Sequence, residues 1–532
     1  MLSEDSAPSK SLPASVKTNL YSYEAWRFCS FDLLIFPFLG HRSLHWFRKD
    51  LRLHDNPSLR ECLADSKVFY GVYFLECSAE DKMTVSPNRW HFLLQSLQDL
   101  DRGLAQCGSR LFVLKGRPMD MLPSLFKEWG ITRLSFEVDC EPFRKSRDAV
   151  ITGLAKQSGV EVISRVSHTL YDAEVLLMST EGRAPQVFDE FMEVALQLGR
   201  PQMPAPRVNR QLFGSCLTPV ARDHNQQYGV PTVEEIGFQK PAATSSWFYP
   251  GGEQEALTRM EAALQKMKEN DFCDSPLTAN SLMPSASHLS PYLRLGCLSS
   301  RLLYQRMTEE YIKNKTVNPP PEVYSKLFWR EFFFLVGSQV PGAHEMVNNS
   351  LSLQIPWEDS PEYLHKWKQG MTGFPWIDAI MRQLHLEGWI HDVARKAVGS
   401  FLTRGCLWIS WEEGFKVFDE LQLDAEWSLN VGNWLWLSGS TFVKEHVPWF
   451  CPVDVGKKID PTGEYVRKYV PEVRNLPTNY IFEPWMAPRD LQESCGCVIG
   501  QDYPAPLVDH RQQRVVCVQR LRDLAFKLSA IK

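Results

Sequence analysis

The strongest constraint in this sequence is a change of period near residue 255. Before it, short β-prone runs alternate with helical ones. Ser43–Phe47, Val68–Leu75, Leu111–Leu114, Arg133–Val138 and Val160–Val166 read as strands, and Arg89–Leu104, Met119–Trp129 and Arg144–Gln157 as helices. Val68–Leu75 (VFYGVYFL) is a continuous β-prone run, as a parallel strand covered on both faces would be. Strands alternating with helices imply right-handed βαβ units, hence an α/β N-terminal domain on a doubly wound parallel sheet. No GxGxxG follows the first strand, so no dinucleotide is expected in the usual place. From Glu255 to about Phe450 the periodic segments are helical: Gln254–Glu269, Ser299–Lys313, Pro321–Val336, Pro375–Glu387, Trp389–Thr403 and Trp411–Gln422. No strand pattern competes with them, so an all-α C-terminal domain follows.

These shifts divide the chain into an α/β domain at 43–171, a connector at 172–254, a helical domain at 255–500 and a terminal helix and tail at 501–532. Seven prolines between Pro201 and Pro250 break both periods in the connector. Residues 1–42, Ser/Pro/Lys-rich at the start, read as a disordered extension. No apolar run is long enough to span a bilayer. Lys plus Arg is 58 and Asp plus Glu is 63, so the net charge of −5 does not announce nucleic acid. The cysteines are scattered, with no second pair at zinc-ligand spacing, and read as reduced thiols. One count stands out. Eleven of the 17 tryptophans fall between Trp329 and Trp449. Composition alone leaves three explanations open: a large core, a wall for a flat ligand, or an electron path.

Within the helical half, several polar groups need an explanation. Ser287-His-Leu-Ser290-Pro291 reads as a helix start, with proline at the first helical position. Asp392, Arg395 and Lys396 share a helix face. A buried Arg395 would need a carboxylate, and Asp424 and Glu426 are the candidates. Asp424, Glu426, Asn430 and Asn433 lie in an otherwise apolar region and need partners, which a planar cofactor with ring nitrogens and carbonyls would supply. Gly432 would permit close backbone approach to it.

These segments carry a family resemblance. FRKDLRLHDNP near the start, LSPYLRLGCLS, FWREFF, GFPWIDAIMRQL, the WISWEEG run at Trp408 and LDAEWSLNVGNWLWLS occur in the order seen in the photolyase/cryptochrome family. The resemblance runs from about residue 43 to about 528 and is nearest to animal cryptochromes and (6-4) photolyases. It implies FAD, bound non-covalently in a U shape in the helical domain. It assigns FAD contacts to Ser287, Ser290, Lys326, Trp329, Asp392, Arg395, Asp424, Ala425, Glu426 and Asn430, with Asn430 facing the flavin N5. It also implies an electron-transfer chain of Trp434, Trp411, Trp357 and Trp408, with Trp408 and Trp411 on neighbouring helical positions. Trp367, Trp376 and Trp436 are read as core. No metal site is expected, and an antenna chromophore of folate or deazaflavin type is left open.

The departures from the pattern set the functional expectation. Asp392 and Lys396 stand where (6-4) photolyases resemble one another in a histidine pair. A carboxylate and an ammonium cannot reproduce imidazole proton transfer near neutral pH. Lys326 replaces the family's Gln, and also the Glu of cyclobutane-dimer photolyases. Glu426 replaces the second acid of the usual DAD. The resemblance therefore implies a blue-light photoreceptor of cryptochrome type without DNA repair, rather than an enzyme. The alternatives are a light-driven DNA photolyase and a light-independent clock repressor. A signalling or clock-protein partner is expected ahead of DNA, with nuclear or cytoplasmic residence and no membrane.

Overall fold

The computed structural model describes residues 40–76, 85–238, 248–273, 277–441 and 449–529. Residues 1–39 of the expected extension lie outside them. Five parallel strands form one sheet in the order β3-β2-β1-β4-β5. They are β1 (His41–Trp46), β2 (Ser66–Leu75), β3 (Leu111–Lys115), β4 (Arg133–Glu137) and β5 (Glu161–Arg165). The first strand starts two residues before the expected Ser43, because the His41 N–H already donates to Asp65 O at 3.0 Å. Covering helices Pro57–Leu63, Pro87–Gln106, Pro118–Glu128 and Pro142–Gln157 each open on a proline, whose fixed φ and missing N–H suit a first turn. β1 pairs with β2 on one side and β4 on the other, so the winding reverses there. The helix Phe188–Leu198 lies inside the expected connector and buries Phe191 against Phe332. The connector is thus packed rather than merely wrapped.

The second half is helical, with two corrections. The expected Pro321–Val336 helix is a 3-10 turn, Pro321–Tyr324, followed by the helix Ser325–Gly337. The expected Trp389–Thr403 helix is Asp392–Ser400, because His391 Nδ1 caps it by accepting the Val393 N–H at 3.2 Å. Beyond it, Phe401–Gly405 widens into a π-type turn broken at Thr403 (φ −94, ψ −118). The last described helix is His510–Ser529. Among the described residues all cysteines are free, and no helix is long and apolar enough to cross a membrane.

Candidate functional site

Two helices build the floor of a cleft. Trp411–Leu421 and Trp427–Leu437 cross closely because Gly414 leaves room for the Trp434 ring. A Cβ on Gly414 would lie 2.2 Å from that ring. The cleft holds about 150 Å³ of free volume. Ser290, Asp392, Arg395, Asp424, Ala425, Glu426, Asn430 and Trp434 all line it. Positions 426, 430, 433 and 437 follow the helical period, which puts Glu426, Asn430, Asn433 and Leu437 on the cleft side of one helix.

The charges inside are arranged in pairs. Arg395 Nη2 donates to Asp424 Oδ2 at 2.7 Å, and Arg395 Nε donates to Ile390 O at 2.9 Å. Lys396 Nζ pairs with Asp392 at 2.7 Å and lies 5.5 Å over the Trp436 ring. The Asn430 amide nitrogen donates to Phe415 O at 3.1 Å, so its oxygen is the end available to a ligand. Trp389 Nε1 donates to Ser290 Oγ at 3.1 Å and stacks on His288 at 3.8 Å. Burial pushes His288 down to about 3. His391 is held down to about 4, first by burial and then by Lys326, Arg395 and Lys396 against the opposing charge of Asp392.

Among the described residues, three polar atoms of cleft-lining side chains are buried without a protein partner: Asp424 Oδ1, an acceptor, and Gln422 Nε2 and Trp434 Nε1, both donors. A buried polar group left unpaired costs about 1–3 kcal/mol, so an unmet acceptor and unmet donors in one cleft ask for a ligand carrying both functions. The ring edge of a flavin carries both, and the residues fit FAD on that ground.

Three of the expected contacts, Ser287, Lys326 and Trp329, lie outside the lining of this cleft, and Gly432 has another role. Ser287 bonds Ser285 Oγ (2.9 Å) and does not line the cleft. Trp329 lies flat on Phe188 (4.0 Å, 2°), and neither it nor Lys326 is among the lining residues. A Cβ on Gly432 would lie 2.2 Å from Phe333, so this glycine serves helix packing rather than cofactor approach.

Glu426 lines the cleft, yet its carboxylate is engaged with the α/β domain. It meets His168 Nε2 at 2.5 Å, Lys49 Nζ at 3.3 Å and Arg330 Nη2 at 3.7 Å. Burial would raise it, but the cations Lys49 and Arg330, with the hydrogen bond to His168, hold it well below the usual carboxylate range. Burial in turn pushes His168 down to about 4.

The tryptophans divide in the same way. Trp434 and Trp411 are buried in one core cluster. Trp357 and Trp408 form a ring pair with centroids 5.1 Å apart. Trp408 is not helical, contrary to expectation. It precedes the Ser410 cap of the Trp411–Leu421 helix and takes φ +55. Trp367, read as core, is fully buried but touches Trp434 edge-on at 6.3 Å. Trp436, also read as core, lines the cleft. Sequence reasoning missed Arg294, Phe418 and Gln422 there. Only the spacing of Phe418 and Gln422, one turn apart and just before Asp424, could have pointed to two of them.

The chain is similar to proteins of one family along most of its length. A family model described as the FAD binding domain of DNA photolyase matches residues 323–523, and one described as DNA photolyase matches residues 43–207. The chain is 48% identical to Cryptochrome-1 of Mus musculus over 493 residues, 92% of this chain and 81% of that one. It is 46% identical to Cryptochrome-2 of Gallus gallus over 491 residues, 92% and 84% of the two chains. Among solved structures, a bacterial class III photolyase from Agrobacterium tumefaciens superimposes with a TM-score of 0.77 at 27% identity, covering 91% of this chain and 98% of that one. A Synechocystis cryptochrome gives 0.76 at 27% identity, covering 90% and 98%.

Proposed function

The chain belongs to the photolyase/cryptochrome family, and from that premise we propose that it is a FAD-binding blue-light photoreceptor of cryptochrome type, without DNA repair. FAD, when bound, supplies light absorption and one-electron acceptance. The remaining work falls to this chain's side chains. Asp424 Oδ1 and Gln422 Nε2 engage the ligand edge, and Arg395 fixes Asp424 through its second oxygen. Trp434, 1% exposed at the cleft wall, is the first electron donor. Trp411, then Trp357 and Trp408, refill it in turn. A changed charge in the cleft then shifts the conformation that a signalling or clock-protein partner reads. We place this activity in the nucleus or cytoplasm.

One observation carries the choice of receptor over repair enzyme. Asp392 and Lys396 are bonded to each other at 2.7 Å on the cleft wall, where lesion repair of the (6-4) kind would want two imidazoles. Repair and light-independent repression are the competing activities. The test is absorption spectroscopy of purified protein under blue light, with a lesion-repair assay alongside. Trp434→Phe should suppress photoreduction of bound flavin. An unchanged rate removes the tryptophan chain, and light-dependent repair of (6-4) or cyclobutane lesions removes the receptor reading.

A further inference from the structure

The far end of the tryptophan series is covered rather than open. Trp408 is 3% exposed. It packs with Ile355 and with Cys517 of the His510–Ser529 helix. The same helix brings Arg520 over the ring, with its guanidinium carbon 5.2 Å from the centroid. Arg520 Nη2 in turn pairs with Glu358 Oε1 at 2.5 Å. Glu358 is tied back to the tryptophan, its N–H donating to Trp408 O at 2.8 Å. The ring is fixed from its other side as well. Trp408 Nε1 donates to Pro356 O at 3.0 Å, and its backbone N–H donates to Thr403 O at 2.8 Å. The backbone is held at φ +55, a conformation that a bulky residue adopts only when its surroundings impose it.

We propose that the Arg520–Glu358 pair is a positioning and tuning device for the electron chain: it sets how readily Trp408 holds the positive charge at the end of the series. The inference rests on the tryptophan-chain reading above. In the step concerned, Trp408 gives one electron to oxidised Trp357. Trp357 is restored, and Trp408 is left as a radical cation; the original oxidant is the photo-excited flavin. No proton leaves, because the acceptor at Nε1 is an amide carbonyl, far too weak a base to take it. The charge therefore stays on the ring, beneath Arg520. A cation above a neutral indole is attracted to its face; above an oxidised indole it is repelled. Glu358 offsets that repulsion. The two residues thus act on the terminal charge with opposite sign, although both help seat the same helix. A purely structural role would give both substitutions the same sign.

The experiment is transient absorption of the tryptophan radical after a blue flash, on FAD-loaded full-length protein. Arg520→Gln leaves Glu358 alone beside the ring and should lengthen the radical lifetime about threefold; Glu358→Gln leaves Arg520 unopposed and should shorten it by a similar factor, the size expected of a half-exposed pair. The double variant should return towards the parent, and Arg520→Lys should restore it in part. The radical should carry the spectrum of the protonated cation. Hydrogen exchange of the His510–Ser529 helix in the dark reports whether each variant keeps the helix seated. Lifetimes that move in the same direction, or not at all, in variants with a seated helix overturn the proposal. Variants that unseat the helix and change lifetimes only in step with it overturn it too. If the parent forms no tryptophan radical, the chain reading fails and this inference falls with it. A radical that forms but ignores both substitutions removes this inference alone.

Discussion

Gly414→Ala would add one methyl at the point where the cleft's two floor helices cross. The new Cβ would stand 2.2, 2.5 and 2.6 Å from Cη2, Cζ3 and Cζ2 of Trp434. Carbon atoms rest at about 3.5–4.0 Å, so the ring must retreat by about 1 Å. It has nowhere easy to go. Trp434 is 1% exposed, with Phe418 at 4.9 Å and Trp367 at 6.3 Å. Overpacking a filled core costs about 1–3 kcal/mol, and a rigid indole puts this site at the upper end. Replacing a helical glycine by alanine returns about 1 kcal/mol. The net loss is about 2 kcal/mol, roughly a thirtyfold fall in the folded-to-unfolded ratio. Urea unfolding should show a lower midpoint with the slope unchanged. The rate of flavin photoreduction should fall as well, because the displaced ring is the proposed first donor. Gly432→Ala is the comparison. Its Cβ would meet Phe333 at 2.2 Å, so a similar stability loss is expected with photoreduction retained in the folded fraction. If Gly414→Ala matches the parent in both midpoint and photoreduction rate, Trp434 is not seated where this reasoning requires.

The two acids that flank Ala425 should separate cleanly. Asp424→Asn weakens the pair with Arg395 and the group offered to the ligand, so FAD affinity measured by fluorescence quenching should fall about tenfold with little change in urea midpoint. Glu426→Gln takes one carboxylate from the buried Lys49 and Arg330, which keep Glu141 and Glu331, and should cost about 2 kcal/mol, while FAD affinity changes much less; the reverse ranking would refute the division. Glu331 supplies a pH test. Burial, only partly opposed by Arg330, raises its carboxyl from 4.5 to about 7. The folded state therefore holds this proton more tightly than the unfolded chain, and the stability it contributes is full below about pH 4.5 and lost as pH rises to 7. Glu331→Gln should flatten the urea midpoint between pH 5 and 7; a parent-like slope would refute the assignment.

Sequence alone determined the elements whose signal is local. Five strands and three of the helices between them declared themselves by run length and period, since a doubly covered strand must be apolar and each long crossover helix must bury one face; the short Pro57–Leu63 helix did not. The helical second half followed for the same reason. The resemblance, carried by long motifs in fixed order, located Ser290, Arg395, Asp424, Asn430 and Trp434, which the fold then brings to one cleft. Where the backbone leaves regular structure, local pattern failed. A separation of three residues put Trp408 and Trp411 on one helix, but the Ser410 cap and the turn at Thr403 place Trp408 outside it, at a positive φ that no period encodes. Distant partners were equally invisible. Glu426 is marked by its sequence segment, but nothing local shows that His168, 258 positions away, and Lys49 of the other domain engage its carboxylate. Gly432 read as room for a cofactor, whereas the space belongs to Phe333. The physical reason is common to the last two. Period and composition report which face of an element is buried, but the identity of what buries it is settled only when segments far apart in the chain pack together.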